Sequence, residues 1–220
     1  MDQKKKPDFD VISVGAGFAG LALVHHLRDV GMTIRVFDRA SDIGGTWSWN
    51  RYPGAMTDSE SYYYCLMFSK ELLQEWKWTQ RYPDWKETLS YMHFVADRCD
   101  MMPHIQLNTE IVAAEYQKDE GIWKVTTASG EPFTCKYFIS SMGMISHPVK
   151  PQLKGLDKFK DQFSIHHAGP RGLNIKASGL VSSVPVQARC RWCRPWRKTL
   201  QRSPCFIAPP ITFFRQCKNP

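Results

Sequence analysis

The first 38 residues contain the feature that restricts the fold most: a strand, a glycine-rich turn, a helix and a second strand in direct succession. FDVISV at residues 9–14 is a short apolar run with β-branched residues, which is typical of a buried strand. GAGFAG follows at residues 15–20, then an apolar-periodic segment, and then TIRVFD at residues 33–38. This order predicts a dinucleotide-binding unit, in which glycines admit a pyrophosphate at the helix N-terminus and an acid binds the ribose. The residues predicted for these roles are Gly15, Gly17, Gly20 and Asp38.

A second informative stretch, GGTWSWNRYPGAMTD, occupies residues 44–58. Its glycine, proline and aromatic content argues against regular helix, and its apolar rings argue against a fully solvated loop. Two adjacent glycines allow the backbone to approach a ring system closely, and Tyr52-Pro53-Gly54 predicts a tight bend. We therefore expect a flat cofactor to cover these rings.

As a string, residues 44–58 resemble the fingerprint of Baeyer–Villiger flavin monooxygenases: Gly-Gly-x-Trp, four residues, an aromatic, Pro-Gly, three residues and Asp. The resemblance implies an α/β fold, with a Rossmann-like FAD-binding domain over residues 9–150. It also implies the cofactors FAD and NADPH, of which the first carries the chemistry while the protein holds and tunes it.

The same resemblance implies roles for individual residues. Asp58 would be catalytic, orienting an arginine that the family places beyond residue 220. Val112 would bond the adenine through its backbone. The flavin half of the cofactor would be held by Gly45, Thr46, Trp47 and Tyr64.

The middle of the chain reads as helices followed by strands. SKELLQEWKW and DWKETLSYMHFVADRCDM have helical spacing, and Leu72, Leu73 and Trp76 are expected on a buried face. Tyr62 and Tyr63 are expected to fill an aromatic wall. From residue 104 the pattern predicts the strands HIQLN, EIVAAEYQ, IWKVTTA and FTCKYFIS. We interpret them as a small antiparallel insertion, after which KYFISSMG returns to the main sheet.

Charge divides the chain near residue 169. Residues 169–220 contain ten Lys or Arg and no Asp or Glu, whereas residues 1–168 contain 19 basic and 21 acidic side chains. No run of about 18 apolar residues could span a membrane, and the lysine-rich extension at residues 1–8 lacks the apolar segment of a secretory leader. Seven irregularly spaced cysteines suit reduced thiols. We therefore expect a cytoplasmic protein with no membrane partner.

Residues beyond 150 fit the resemblance less well. Residues 151–175 read as a linker, and residues 176–220 read as an irregular basic tail in which Arg202 resembles an NADPH-phosphate contact. Shifting the reading frame of residues 181–199 by one base permits VIGTGASAVQVVQAVAEN, a strand, glycine turn and helix. We interpret the tail as a frame-altered remnant of the NADPH-binding domain. A zinc site at Cys190 and Cys193 and a nucleic-acid partner are disfavoured alternatives, and no metal is expected.

The function implied by the resemblance is insertion of one oxygen atom from O₂ into a ketone by an FAD- and NADPH-using monooxygenase. We expect this chain to be a truncated form with doubtful turnover by itself. Two alternatives stay open: a non-catalytic flavin-binding fragment and a basic-tailed nucleic-acid binder. The ketone and the oligomeric state are not determined by the sequence.

Overall fold

The computed structural model describes residues 6–52 and 54–144, and the backbone of three further strands. The predictions for residues 1–5, for Pro53, for the linker, for Arg202 and for the tail side chains lie outside the described residues. The described residues therefore lie mainly in the region predicted to bind FAD, residues 9–150.

From β1 to β6 the elements follow the order expected from the sequence, except for one short helix, α2, that was not expected. The helices are α1 (Phe18–Asp29), α2 (Thr46–Trp49), α3 (Lys70–Glu75) and α4 (Trp85–Arg98). The strands of the main sheet are β1 (Phe9–Val14), β2 (Ile34–Phe37), β3 (Ile105–Gln106), β4 (Ile111–Gln117), β5 (Ile122–Thr127) and β6 (Pro132–Ser140). Further on, β7 (Phe163–Ser164), β8 (Ser178–Ser183) and β9 (Ile211–Gln216) pair antiparallel in the order β7-β9-β8.

The main sheet is mixed and has the strand order β3-β2-β1-β6-β5-β4. Strands β3, β2, β1 and β6 run parallel, and β6, β5 and β4 are joined antiparallel. The α/β, Rossmann-like prediction is confirmed. Assigning β3 to the antiparallel insertion was wrong, because Ile105 pairs with Val36 of β2 in parallel register. Strand β6 belongs to both parts, since its first half pairs with β5 and most of its length pairs with β1.

The core lies between the parallel strands and helices α1 and α4. Leu21 and Val24 of α1 and Met92 and Val95 of α4 are fully buried, as their helical spacing requires. Of the predicted face of α3, Leu72 is buried, but the structure places Leu73 on the surface. Adjacent residues lie about 100° apart around a helix, and α3 turns the Leu72 side toward the core, which leaves Leu73 39% exposed.

Tyr62 and Tyr63 correct a second expectation. Their side chains are 58% and 72% exposed, so they do not fill a wall of the core. Their rings pack against each other in a tilted arrangement, with centroids 4.3 Å apart. They belong to an irregular connection between α2 and α3, which has no sheet or helix period to direct alternate side chains inward.

Three connections meet at one edge of the parallel strands. Residue 15 follows β1, residue 38 follows β2 and residue 141 follows β6, and the backbone joins all three. The amide of Gly15 donates to the Phe37 carbonyl at 2.8 Å, and the amide of Ser141 donates to the Val14 carbonyl at 2.9 Å. In open parallel sheets this carboxyl edge is where ligands bind.

Candidate cofactor site

The glycine-rich turn between β1 and α1 is packed against its neighbours at two of its three glycines. A Cβ on Gly20 would lie 2.1 Å from the carbonyl oxygen of Gly15, and a Cβ on Gly15 would lie 2.4 Å from the carbonyl oxygen of Ser141. Gly15 also has φ +111°, a conformation that L side chains rarely adopt. These two glycines are required by the protein itself, which agrees with the tight turn and close helix packing predicted for them.

Gly17 is different, because the protein leaves room for a side chain there. A Cβ at this position would approach no atom closer than the Cα of Gly45, at 3.5 Å. Its φ of −87° and ψ of −164° are open to any residue. Gly17 also begins the 12-residue helix α1 without a side-chain cap. The lack of a side chain therefore suits a ligand that approaches the helix N-terminus, which favours phosphate.

Asp38 lies at the end of β2 and is 8% exposed. Its Oδ2 accepts from the Ala16 amide at 2.7 Å, and its Oδ1 accepts from the Ala40 amide at 2.8 Å. This carboxylate therefore ties the glycine-rich turn to β2, a role that sequence reasoning missed. A carboxylate oxygen accepts more than one hydrogen bond, so the arrangement leaves capacity for the predicted ribose hydroxyls.

Val112 lies in a β-bulge at the start of β4. Ile111 pairs with Thr127 and Ala113 pairs with Thr126, so Val112 is the extra residue of the ladder, and its side chain is 61% exposed. A bulge residue keeps backbone groups outside the regular pairing. The bulge also lies near the end of β2, because the Thr109 amide donates to the Asp38 carbonyl at 2.9 Å. This geometry suits the predicted backbone contact with adenine.

Residues 44–49 form a turn that leads directly into α2. Gly44 has φ +119°, and Gly45 has φ +52° with ψ −118°. A residue with a side chain would be strained in either conformation. The expectation that this stretch contains no regular helix was therefore wrong for one turn, Thr46–Trp49. The two glycines reverse the chain sharply enough for Trp47 to donate its amide to the Gly44 carbonyl at 3.0 Å.

The two glycine-rich turns touch each other. The Gly44 amide donates to the Ala16 carbonyl at 2.9 Å, and a Cβ on Gly45 would lie 3.0 Å from the Cα of Gly17. Sequence reasoning treated the two turns as separate halves of a cofactor site. The structure brings them together at the N-terminus of α1.

Trp47 and Tyr64 form a pair beside these turns. The Trp47 indole Nε1–H donates to the Tyr64 hydroxyl at 3.1 Å, and the two rings meet edge to face. Tyr64 also packs edge to face on Phe18, the first residue of α1, at 5.1 Å between centroids. Trp47 is only 7% exposed, so protein atoms cover most of its ring. The cofactor is not needed to cover this ring, contrary to the sequence-based expectation.

Asp58 is exposed and lies near two tyrosines. Burial raises the pKa of the Tyr64 hydroxyl and of the Tyr52 hydroxyl, and the negative charge of Asp58 contributes to both increases in pKa. The structure therefore brings Asp58, Tyr52 and Tyr64 into one electrostatic cluster. The proton stays on both hydroxyls at neutral pH, so each is available as a donor.

The segment that carries Asp58 is fixed to the start of α4. The Thr57 amide donates to the Pro83 carbonyl at 2.9 Å, and the Trp85 amide donates to the Ala55 carbonyl at 2.9 Å. Thr57 is 1% exposed. Because Ala55 and Thr57 are both anchored through the backbone shortly before Asp58, the start of α4 helps to set the position of Asp58.

Sequence reasoning also missed a polar cluster behind α2. Arg51 contacts the Ser48 carbonyl and the Asp42 carboxylate, and Asp42 in turn contacts His93 of α4. The sequence signals only its α4 side, since residues at intervals of four share one face of a helix. That face of α4 carries Trp85, Leu89 and His93.

Residues 6–52 and 54–144 contain neither a candidate metal centre nor a candidate membrane span. No cluster of three or more His, Cys, Asp or Glu side chains there could hold a metal ion. None of the helices in that part of the chain has the length and apolar character needed to cross a membrane.

Comparison with known proteins identifies the lineage. Residues 12–171 match the sequence profile of the pyridine nucleotide-disulphide oxidoreductases. The chain belongs to this family. The match begins within β1 and includes both glycine-rich turns and the other strands of the main sheet.

Two curated relatives of the family show where the similarity is concentrated. A Baeyer–Villiger monooxygenase of Pseudooceanicola batsensis is 43% identical over 179 residues, which cover 80% of this chain and 33% of the relative. A phenazine N-monooxygenase of Lysobacter antibioticus is 40% identical over 216 residues, which cover 95% of this chain and 40% of the relative. The predicted resemblance to Baeyer–Villiger monooxygenases is confirmed. The chain spans between about a third and two fifths of the length of these relatives.

A solved structure supports the fold independently. The cyclohexanone monooxygenase of a Rhodococcus species, bound to NADP⁺, superposes with a TM-score of 0.75 at 37% identity. The superposition covers 84% of this chain and 36% of that chain. This identity is high enough for the shared fold to reflect shared ancestry.

Proposed function

We propose that this chain is the FAD-holding part of an NADPH-using flavin monooxygenase. The observation that carries the proposal is the contact between the two glycine-rich turns, through the Gly44 amide and the Ala16 carbonyl. One ligand long enough to carry a pyrophosphate at Gly17 and a ring system at Gly45 would contact both turns. FAD has this form, and relatives named FAD-binding monooxygenases support the choice, such as one of Aspergillus aculeatus, 37% identical over 158 residues.

The ADP half is assigned to the edge of the parallel strands. Gly17 admits the pyrophosphate at the N-terminus of α1, where unpaired amides and the helix dipole attract negative charge. The Asp38 carboxylate accepts hydrogen bonds from the ribose hydroxyls. The backbone amides of Ala16 and Ala40 donate to the same carboxylate and hold it in place. The bulged backbone at Val112 pairs with adenine. Gly15 and Gly20 serve the turn itself, because their neighbours leave no room for a side chain.

The flavin half is assigned to the turn at residues 44–47 and to Tyr64. The backbone of Gly45 and Thr46 contacts the ring system. Trp47 fixes the orientation of Tyr64 by donating its indole N–H to the Tyr64 hydroxyl. The hydroxyl of Tyr64 accepts this bond and keeps its own proton as a donor. The buried Trp47 ring excludes water from one side of the turn.

When bound, FAD would supply the redox chemistry: acceptance of hydride from NADPH and activation of O₂. This chain's own contribution is to bind the cofactor, to orient it and to supply Asp58 beside it. We propose that Asp58 orients a catalytic arginine, as the family resemblance implies. Its anchoring to α4 through Thr57 and Ala55 suits a positioning role. Arg202 as a contact for the NADPH phosphate stays a prediction, as does the cytoplasmic location.

A ketone is the proposed substrate, with O₂ as co-substrate. Relatives named for ketones support this class, including a cyclohexanone monooxygenase of an Acinetobacter species, 40% identical over 164 residues. The second candidate is oxidation of an aromatic ring nitrogen. It is favoured by the Lysobacter phenazine N-monooxygenase, whose similarity extends over 95% of this chain. Nucleic acid is not proposed as a partner.

The tail is proposed as a remnant of an NADPH-binding segment. Similarity over 95% of 220 residues covers about 209 residues, so the alignment with the Lysobacter enzyme must enter residues 176–220. Sequencing the transcript across codons 176–200 tests the frame hypothesis. A transcript that encodes this same peptide without a frame change would overturn it.

The test of the function combines binding and turnover. The purified chain, supplied with FAD, is expected to retain flavin absorbance after gel filtration. NADPH oxidation is then followed with cyclohexanone, with phenazine and without substrate. Ketone-dependent oxidation supports the first candidate and phenazine-dependent oxidation supports the second. Flavin retention without turnover supports a flavin-binding fragment, and no flavin retention contradicts the proposal.

A further inference from the structure

Helix α2 cannot hold its own position. It has four residues, and isolated helices this short are unstable in water because nucleation costs more than a few hydrogen bonds return. Its N-cap, Gly45, provides no side-chain hydrogen bond. The turn predicted to face the flavin therefore depends on contacts from outside the helix.

Side chains following α2 cap its C-terminal end. The Asn50 side-chain amide donates to the Thr46 carbonyl at 2.9 Å, and the Arg51 Nε–H donates to the Ser48 carbonyl at 2.7 Å. Carbonyls in the last turn of a helix otherwise lack a partner. The guanidinium thus completes the hydrogen bonding of α2 from its C-terminal side.

The same guanidinium reaches two neighbouring elements. Its Nη2 lies 3.4 Å from Oδ2 of Asp42, and its Cζ lies 5.6 Å from the centroid of the Trp85 ring. The Arg51 and Asp42 side chains are both 31% exposed, so the pair is partly shielded from solvent. A charge-assisted bond in such a place is worth more than a surface ion pair.

Asp42 continues the connection to α4. Its Oδ1 lies 3.0 Å from Nε2 of His93. Between Trp85 and His93 on the same helix face, Leu89 lies against the turn, since a Cβ on Gly44 would be 2.5 Å from Leu89 Cδ1. The residues 42, 51, 85 and 93 therefore surround α2 on the side that faces α4.

We propose that Arg51, together with Asp42 and His93, is a positioning residue that clamps α2 to α4 and so fixes the turn that receives the flavin. We call these three side chains the α2 clamp. The inference rests on the proposed function for what the turn binds, but the clamp itself is a property of the ligand-free chain. Arg51 contacts no cofactor in this account and acts through the backbone of Ser48.

The test measures the ligand-free chain and its affinity for FAD separately. Backbone hydrogen exchange, read by mass spectrometry, is compared for the peptide spanning residues 44–51 in wild type, R51A, R51K and D42N. R51A is expected to exchange about tenfold faster there, because loss of the charge-assisted bonds of Arg51 lowers the free energy of local opening. R51K keeps the charge but loses the fork geometry, so it is expected to lie between wild type and R51A.

The matched control is Arg98→Ala. Arg98 forms a two-bonded ion pair with Glu75, with both distances 2.8 Å, at a surface site on α4 away from α2. FAD affinity is expected to fall about tenfold in R51A and to stay within about twofold in R98A. Equal effects of the two variants on the 44–51 peptide, or unchanged exchange in R51A, would overturn the clamp.

The outcomes separate the clamp from the proposed function. If wild type binds no FAD, the function fails, and the exchange data alone still decide whether Arg51 holds α2. If R51A does not fold, R51K and D42N carry the comparison, since both keep a side chain of similar size. Faster exchange at 44–51 in both supports the clamp, and wild-type exchange in both contradicts it.

Discussion

The two halves of the proposed cofactor site are built by different means. The turn after β1 is fixed by backbone bonds and by glycines whose neighbours leave no space, as at Gly15 and Gly20. The turn at residues 44–47 is joined by a backbone bond to Ala16 of the first turn, but its helix of one turn is held by side chains of Tyr64, Asn50 and Arg51. The proposed ADP half is therefore held mainly by backbone packing, with one side chain, Asp38, bonded to the turn, whereas the proposed flavin half depends on several side chains.

Gly20→Ala should have the largest effect on stability, because it places a side chain in the closely packed turn after β1. Its Cβ would lie 2.1 Å from a backbone oxygen, which cannot rotate away. We expect a loss of about 3 kcal/mol or more in the free energy of unfolding. Urea denaturation followed by circular dichroism measures it. Wild-type stability would mean that the turn is not packed as described.

Gly17→Ala should separate ligand binding from stability within the same turn. A Cβ there meets no atom closer than 3.5 Å, and the backbone conformation suits alanine. We expect the free energy of unfolding to change by no more than about 0.5 kcal/mol and FAD affinity to fall about 100-fold. Isothermal titration calorimetry checks the second value. Unchanged FAD affinity would remove Gly17 from the site.

Tyr64→Phe tests the side-chain-built half. The buried Trp47 Nε1–H would lose its acceptor, and an unsatisfied buried donor costs about 1–3 kcal/mol. Combining Y64F with W47F should cost less than the sum of the two single changes, because the shared bond is lost only once. Thermal denaturation of the four proteins gives the coupling energy. Strict additivity would show that the bond contributes nothing.

Tyr91→Phe is expected to give a smaller, pH-dependent effect. Burial raises the pKa of Tyr91 to about 12, and its hydroxyl accepts from the Leu66 amide at 2.8 Å in the segment that follows Tyr64. At neutral pH Y91F should lose about 1 kcal/mol.

The sign of the pH effect follows from the raised pKa. Below the unfolded pKa of about 10 the neutral hydroxyl keeps its full stabilising effect, which is lost as pH rises through the folded value. The stability difference between wild type and Y91F should therefore narrow from about pH 10 upward. Chemical denaturation at pH 8 and pH 11 measures it, and a constant difference would contradict the assignment.

Sequence patterns predicted the backbone-built half better than the side-chain-built half. The apolar run of β1, the glycine spacing and the acid after β2 are local signals, and each corresponds to a local structural requirement. The second role of Asp38, accepting a hydrogen bond from the Ala16 amide, was missed because the two residues are distant in sequence and meet only in the folded chain. The bulge at Val112 was likewise invisible, since it is a matter of pairing register and not of composition.

Errors in the sequence-based reading occurred where packing overrides pattern. Trp47 was expected to need a cofactor to cover its ring, yet protein atoms from α4 and the segment around Tyr64 cover most of it. The α2 clamp joins residues 42, 51 and 93, which no single-element periodicity relates. Leu73 and the Tyr62–Tyr63 pair were assigned inward because apolar character was taken as burial.

The most direct test of the central claim, that both glycine-rich turns form one site, is a calorimetric titration of the wild-type chain with FAD and with ADP. The account predicts one FAD per chain, displaced competitively by ADP. It also predicts that FAD binds at least about tenfold more tightly than ADP, because only FAD contacts the turn at Gly45. Failure to bind FAD, or FAD binding that ADP does not displace, would contradict it.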